Sequence, residues 1–149
     1  MSPRSLRRWN YRRPKRMSAD SVIIDTSLWI EYFKGSTPNA SFVERLVLEE
    51  RAVTTGLVLA ELLQGVRSEG EGQTITEVFG GLPTLEITTE IWRAAGQLAY
   101  TLRREGVTVP LTDAALGALA LAHQLLVFSL DKHFEHMQGI RLYHTTPSA

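Results

Sequence analysis

The chain has 149 residues, 44% apolar and 21% charged, with no cysteine and a formal net charge of zero. That composition describes one ordinary globular domain and excludes disulfide frameworks, thiolate zinc sites, iron–sulfur clusters and cysteine nucleophiles. No apolar run approaches the ~20 residues a membrane helix needs, and the lack of cysteine fits a reducing cytoplasm.

Residues 1–16 form a separate piece. They carry Arg4, Arg7, Arg8, Arg12, Arg13, Lys15 and Arg16 and no acid, whereas residues 17–149 hold nine Lys/Arg against sixteen Asp/Glu, a net of −7. A stretch so basic and so poor in apolar residues is expected to be disordered when free. As a functional element it suits a nucleic-acid arm or an organelle presequence. The plainer alternative is an upstream start, with Met17 as the natural first residue.

The body, 17–149, alternates strands and helices. Ser21-Val22-Ile23-Ile24-Asp25 is a short β-branched run, the signal of a buried strand. A helix is expected from Ser27 to Lys34, closed by Gly35, and Pro38 opens a second with apolar positions at Phe42, Val43, Leu46 and Val47. Ala52–Thr55 is a strand and Leu57–Val66 a helix. Gly70 and Gly72 mark a loop, followed by a short helix from Gln73 to Phe79. Leu85–Ile87 is a strand and Thr88–Glu105 the longest helix. Pro110 and Thr112 open a helix to about His123, whose Ala114–Ala122 segment is apolar on every side and so is buried on more than one face. Leu126–Ser129 and Arg141–Tyr143 complete five strands. This pattern predicts an α/β fold, a three-layer Rossmann-like domain with a central parallel sheet flanked by helices.

Ligands of open α/β sheets bind beyond the carboxyl ends of the strands. Asp25 directly follows the first strand, and Asp131 stands just past Leu126–Ser129. Asp113 lies in the first turn of the buried helix, and Glu61 in the helix after the second strand. Each has a plain alternative. Asp25 and Asp131 suit helix caps, and Asp113 suits a helix dipole. The helical wheel sets Glu61 beside Gln64 and Gly65, as a solvated side chain. Gathered at one edge, four carboxylates would repel and some would take up protons. A divalent cation removes that penalty, and oxygen donors suit Mg²⁺ or Mn²⁺. Such a cation can activate water against a phosphodiester. His133 and His136 are expected as ordinary surface histidines. Trp29, Tyr32 and Phe33 are expected in the core, and Arg93, Arg103 and Arg104 on a solvated helix face. No glycine-rich loop follows the first strand, so no nucleotide cofactor is expected.

Four segments, Val-Ile-Ile-Asp25-Thr26-Ser27, Thr55-Gly-Leu-Val-Leu-Ala-Glu61-Leu, Leu111-Thr112-Asp113-Ala-Ala-Leu-Gly and Phe128-Ser129-Leu130-Asp131-Lys132-His133-Phe134, in this order and spacing, resemble the PIN-domain ribonucleases. Within that family the likeness is to the VapC-type toxins of toxin–antitoxin pairs, and it covers about residues 21–144. The resemblance implies a metal-dependent endoribonuclease using Mg²⁺ or Mn²⁺. Asp25 is then the central ligand and Asp113 shares its ion. Glu61 binds or bridges through water, and Asp131 supports a second ion or the attacking water. Ser27 and Ser129 match supporting hydroxyl positions. It further implies an RNA substrate, an antitoxin of the VapB kind covering the site, and a homodimer. Leu130 and Ser129 depart from the residues common at their positions, which bears on substrate contacts. A non-catalytic PIN-like module binding RNA or protein is the alternative, and a structure-selective DNA nuclease a third.

Overall fold

In the computed structural model, which describes residues 17–35 and 37–145, every residue of β1 (Val22–Ile24) and β2 (Ala52–Thr55) is buried. Successive strand residues point to opposite faces, so unbroken burial means that helices cover both sides of the sheet. β3 (Thr84–Leu85), β4 (Leu126–Phe128) and β5 (Arg141–Leu142) complete it. The order is β3-β2-β1-β4-β5, and every pairing is parallel. The basic segment 1–16 lies outside the described residues.

The helices are α1 (Thr26–Lys34), α2 (Pro38–Leu48), α3 (Gly56–Gln64), α4 (Glu69–Phe79), α5 (Thr89–Arg104) and α6 (Leu111–His123). Right-handed crossovers put α1–α4 on one face and α5–α6 on the other. The packing agrees: α1 lies against α2 and α3, and α5 against α6. Gly35, at φ +70°, closes α1 in the left-handed conformation that suits glycine. Trp29 is fully buried beneath α1, with the rings of Tyr32, Phe33 and Phe79 at 5.4, 6.1 and 4.9 Å. α6 is buried without a break from Ala114 to Ala120, as its apolar circumference requires. Its small residues admit close neighbours. A Cβ on Gly117 would collide with the Met137 sulfur and touch Leu98 at 3.5 Å. Among the described residues no helix is long and apolar enough to cross a membrane.

Most element ends lie within one or two residues of the sequence-based expectation, and the start of α4 and the position of β3 differ for identifiable reasons. α4 begins at Glu69, ahead of Gly70 and Gly72. Ser68 caps it by accepting from the Glu71 amide at 3.2 Å, and the Glu71 carboxylate accepts from the Arg67 amide at 2.8 Å. Two orphan donors are thereby satisfied, which offsets the glycine cost. β3 starts one residue before and ends two residues short of the expected Leu85–Ile87, because pairing with β2 (Thr54 with Thr84, Thr55 with Leu85) sets where this short edge strand runs.

Candidate functional site

β1 and β4 end together. Ile24 stands opposite Phe128 in the parallel register, and the Asp25 amide donates to the Phe128 carbonyl at 2.9 Å. Residues 25 and 129 therefore leave the sheet side by side, where strand order reverses. That reversal point is the usual ligand crevice of an open α/β sheet. Asp25 caps α1, its Oδ1 accepting from the Thr26 amide at 2.7 Å. Its Oδ2 accepts from the Ser129 hydroxyl at 2.8 Å. That same hydroxyl oxygen accepts from the Asp131 amide at 2.9 Å. Asp131 Oδ1 accepts from the His133 amide at 3.0 Å and so caps the short 3-10 helix Lys132–His136. The His133 ring returns to the same place, with Nδ1 at 2.8 Å from Asp131 Oδ1 and 2.7 Å from Asp113 Oδ2. On the other side, the Thr26 hydroxyl donates to Glu61 Oε1 at 3.0 Å.

One continuous chain of polar contacts thus runs Glu61–Thr26–Asp25–Ser129–Asp131–His133–Asp113. It joins α3, the β1–α1 junction, the β4 exit and the first turn of α6. The carboxyl of Asp113 is held above its ordinary value, chiefly because burial disfavours its charge. The hydrogen bond with His133 opposes that shift, while the charges of Asp25 and Asp131 add to it. The His133 imidazole is also raised, chiefly by its hydrogen bond to Asp113; burial opposes the rise, and the charges of Asp131 and Asp113 reinforce it. Asp113, Asp131 and His133 can each bring one ligand atom within 4.8 Å of the others. A donor set dominated by carboxylate oxygen fits a divalent cation such as Mg²⁺ or Mn²⁺.

The four acids singled out in the sequence meet at this edge, together with Ser129. Ser27 does not join them. It is exposed on α1, and the hydroxyl that reaches Glu61 belongs to its neighbour Thr26. Glu61 is half-buried rather than solvated, because the wheel of α3 cannot show that α1 stands beside it. The expectation of ordinary surface histidines fails for His133, which sits between two carboxylates. It holds for His136, which is exposed. The sequence signal for His133 was the Asp-x-His spacing at 131–133: the residue two beyond a capping aspartate folds back over that aspartate. The plain reading of Asp25 and Asp131 as caps is also met, so both acids serve the fold and the site at once.

Comparison with known proteins agrees with this fold. The chain matches the family described as PIN domain over residues 22–140. It is 31% identical over 119 residues to Ribonuclease VapC11 of Mycobacterium tuberculosis, covering 76% of this chain and 89% of that protein. VapC ribonuclease Mb1587 of Mycobacterium bovis is similar to the same degree. Among solved structures, the DNA-bound VapBC of Salmonella typhimurium superposes with a TM-score of 0.72 at 25% identity, over 83% of this chain and 96% of that one. VapC20 of Mycobacterium tuberculosis, described as a sarcin–ricin-loop-cleaving toxin, shares the fold with a TM-score of 0.62 at 16% identity, over 81% and 99%.

Proposed function

The chain belongs to the PIN-domain family, and from that premise we propose that it is a metal-dependent endoribonuclease, the toxin of a toxin–antitoxin pair. The observation that carries this reading is the contact chain linking Glu61, Asp25, Asp131 and Asp113 at the β1–β4 edge. The 31% identity to ribonucleases supports it. A module that only binds would have no use for four acids so connected, since their repulsion costs stability.

The residues fit a divalent cation, Mg²⁺ or Mn²⁺, held by Asp25 and Asp113 with Glu61 and Asp131 in support. When bound, that ion supplies an activated water for phosphodiester hydrolysis and offsets charge on the phosphate. The protein's own contribution is positioning. The Thr26 amide and Ser129 fix both oxygens of Asp25. Thr26 turns Glu61 inward from α3. Ser129 holds the Asp131 amide, so the loop after β4 cannot drift from β1. Glu61, Asp113 and Asp131 each hold one oxygen in these contacts, and the lone pairs left over are what a cation or its water would draw on. The exposed side chains of Leu111 (54%) and Leu130 (57%) lie within two residues of Asp113 and Asp131. Such an apolar rim beside an acidic cleft suits a segment of a VapB-like antitoxin laid over the site. RNA as the substrate and a homodimer as the working form belong to the same proposal, as does the assignment of the PIN domain to residues 17–149.

The test is cleavage of a total RNA pool by the purified chain with Mn²⁺, Mg²⁺ or EDTA, beside Asp25→Asn. Discrete, metal-dependent products from the unmutated protein alone are expected. No cleavage, or equal cleavage by the variant, would leave the binding-only module. A chain lacking residues 1–16 should cleave as the full chain does, since none of the acids lies there.

A further inference from the structure

We infer that His133 is itself a ligand in the metal centre, so that the site is a mixed oxygen–nitrogen site rather than an all-carboxylate one. The inference rests on the proposed nuclease function and deepens it by naming the donor that sets ion preference.

Nδ1 of His133 lies 2.7 Å from Asp113 Oδ2 and 2.8 Å from Asp131 Oδ1. A ring nitrogen carries one hydrogen or one lone pair, so it cannot serve two carboxylates as a donor equally well. Only the Asp113 contact has hydrogen-bond geometry; the approach to Asp131 is that of an ion pair. Nδ1 and the two carboxylate oxygens therefore converge on one small volume, where a cation would take the place of the proton that Nδ1 shares with Asp113. Adjacent donors around an octahedral ion, at ligand distances of about 2.0–2.1 Å, stand roughly 2.8–3.0 Å apart. Both distances from Nδ1 lie close to that spacing, and the three groups can present atoms within 4.8 Å of one another.

The imidazole is also placed in advance. The His133 amide is fixed on Asp131 Oδ1. The next residue, Phe134, is 1% exposed and Met137 is 3% exposed, which pins the 3-10 helix against the core. A cation arriving between Asp113 and Asp131 thus meets an imidazole nitrogen already at hand. Nitrogen donors suit Mn²⁺ and the later divalent metals better than Mg²⁺, which favours oxygen. His133 is the residue that tilts this centre toward Mn²⁺.

The test uses the full chain, stripped of metal, and its His133→Asn variant. The asparagine amide sits near the position of Nδ1 and can still donate a hydrogen bond, but it has no basic lone pair. Mn²⁺ binding followed by calorimetry should weaken roughly tenfold or more, a loss already reached when a group merely supporting a ligand is removed. Mg²⁺ binding should change less. Pulsed EPR of Mn²⁺ bound to the unmutated protein should show the coupling of a directly bound imidazole nitrogen, and the variant should lack it. That spectrum needs no variant, so it decides the matter even if the substitution harms folding. Mn²⁺ bound without nitrogen coupling, or with equal affinity in the asparagine variant, would overturn the role of His133 and leave the acid site standing. Failure of the unmutated chain to bind Mn²⁺ would overturn the metal-dependent reading and this inference together, whereas equal binding by Asp25→Asn would overturn the proposed role of Asp25 and leave His133 to the EPR result.

Discussion

Asp25 does two things that substitution can separate. It caps α1 through the 2.7 Å bond from the Thr26 amide, and it presents a charge next to Asp113. Asparagine caps as well as aspartate does, and its oxygen can still accept from the cap or from Ser129. Asp25→Asn loses about 0.3–1 kcal/mol of favourable interaction with the α1 dipole. It also removes a repulsion with Asp113 of about 1 kcal/mol, the scale for nearby charges in a water-wetted site. These two offset each other, but the single asparagine oxygen keeps only one of the two bonds that Asp25 accepts, a loss of about 1 kcal/mol, so the metal-free variant should melt about 2–4 °C below the unmutated protein. Asp25→Ala loses the cap, about 1 kcal/mol, and the bond from Ser129, worth about as much again at a half-buried position. At about 2–4 °C per kcal/mol for a chain of this size, the alanine variant should melt about 4–8 °C below the unmutated protein and about 2–4 °C below the asparagine one. Both should lose metal-dependent RNA cleavage, and Mn²⁺ should no longer raise their melting temperature as it does for the unmutated protein. The assay is thermal unfolding by circular dichroism in EDTA and in Mn²⁺, with cleavage run in parallel. An asparagine variant that unfolds as readily as the alanine one would mean that the charge serves the fold. One that still cleaves would remove Asp25 from the chemistry.

Three further outcomes follow from particular contacts. Thr26→Val keeps the shape of the side chain but frees Glu61; metal-dependent cleavage should fall about 10–100-fold, as for lost partners of metal ligands, while Thr26→Ser should restore most of it. Equal rates in both variants would remove Thr26 from the positioning of Glu61. Gly117→Ala drives a methyl group into the Met137 sulfur and should cost about 1–3 kcal/mol by overpacking, read as a lowered melting temperature; Gly117→Ala with Met137→Ala should recover part of it. His133 has its proton affinity raised on folding, chiefly by Asp113. Its contribution to the metal-free protein is therefore complete below about pH 6.5 and is lost as pH rises through the higher folded value. In EDTA the melting temperature should drop from pH 6 to pH 8.5 by more in the unmutated protein than in His133→Asn, and a parallel drop in both would refute the assignment.

What the sequence reveals of this molecule divides by the range of the interactions. The apolar runs at 22–24 and 126–128 announce buried strands because burial on both faces leaves no polar position. Asp25 stands out because the first run stops there, and Asp131 because it follows the second by three residues. Helix ends marked by Gly35 and Pro38 are equally local. The start of α4 is hidden, since Gly70 and Gly72 resemble a loop until Ser68 and Glu71 are seen to cap the helix N-terminus together. The side chains that finish the site are hidden more deeply. Thr26 meets Glu61 across 35 residues and His133 meets Asp113 across 20. Neither contact leaves a periodic trace, because each depends on how two elements stand on the sheet rather than on either element alone. The choice of Ser27 over Thr26 shows the limit. One residue along a helix turns a side chain by about 100°, which here separates a hydroxyl in the cleft from one in solvent.

The doubling of roles at Asp25 and Asp131 explains how so short a sheet edge holds several acids in place. A carboxylate used only for chemistry would need its own scaffold, and its repulsion from its neighbours would favour open loops. Here each of these two acids satisfies amides that a helix start leaves unpaired, so the folding of α1 and of the 3-10 helix draws them inward against that repulsion. Ser129 then ties one to the other, accepting from the Asp131 amide and donating to the Asp25 carboxylate. The residues most exposed to loss by mutation are consequently the small hydroxyls. Ser129→Ala leaves every carboxylate in the chain but removes the tie between β1 and the loop after β4, and should lower metal affinity and cleavage together while leaving the helical circular dichroism unchanged. Unaltered metal affinity in that variant would show that the two caps alone suffice to hold the acids together.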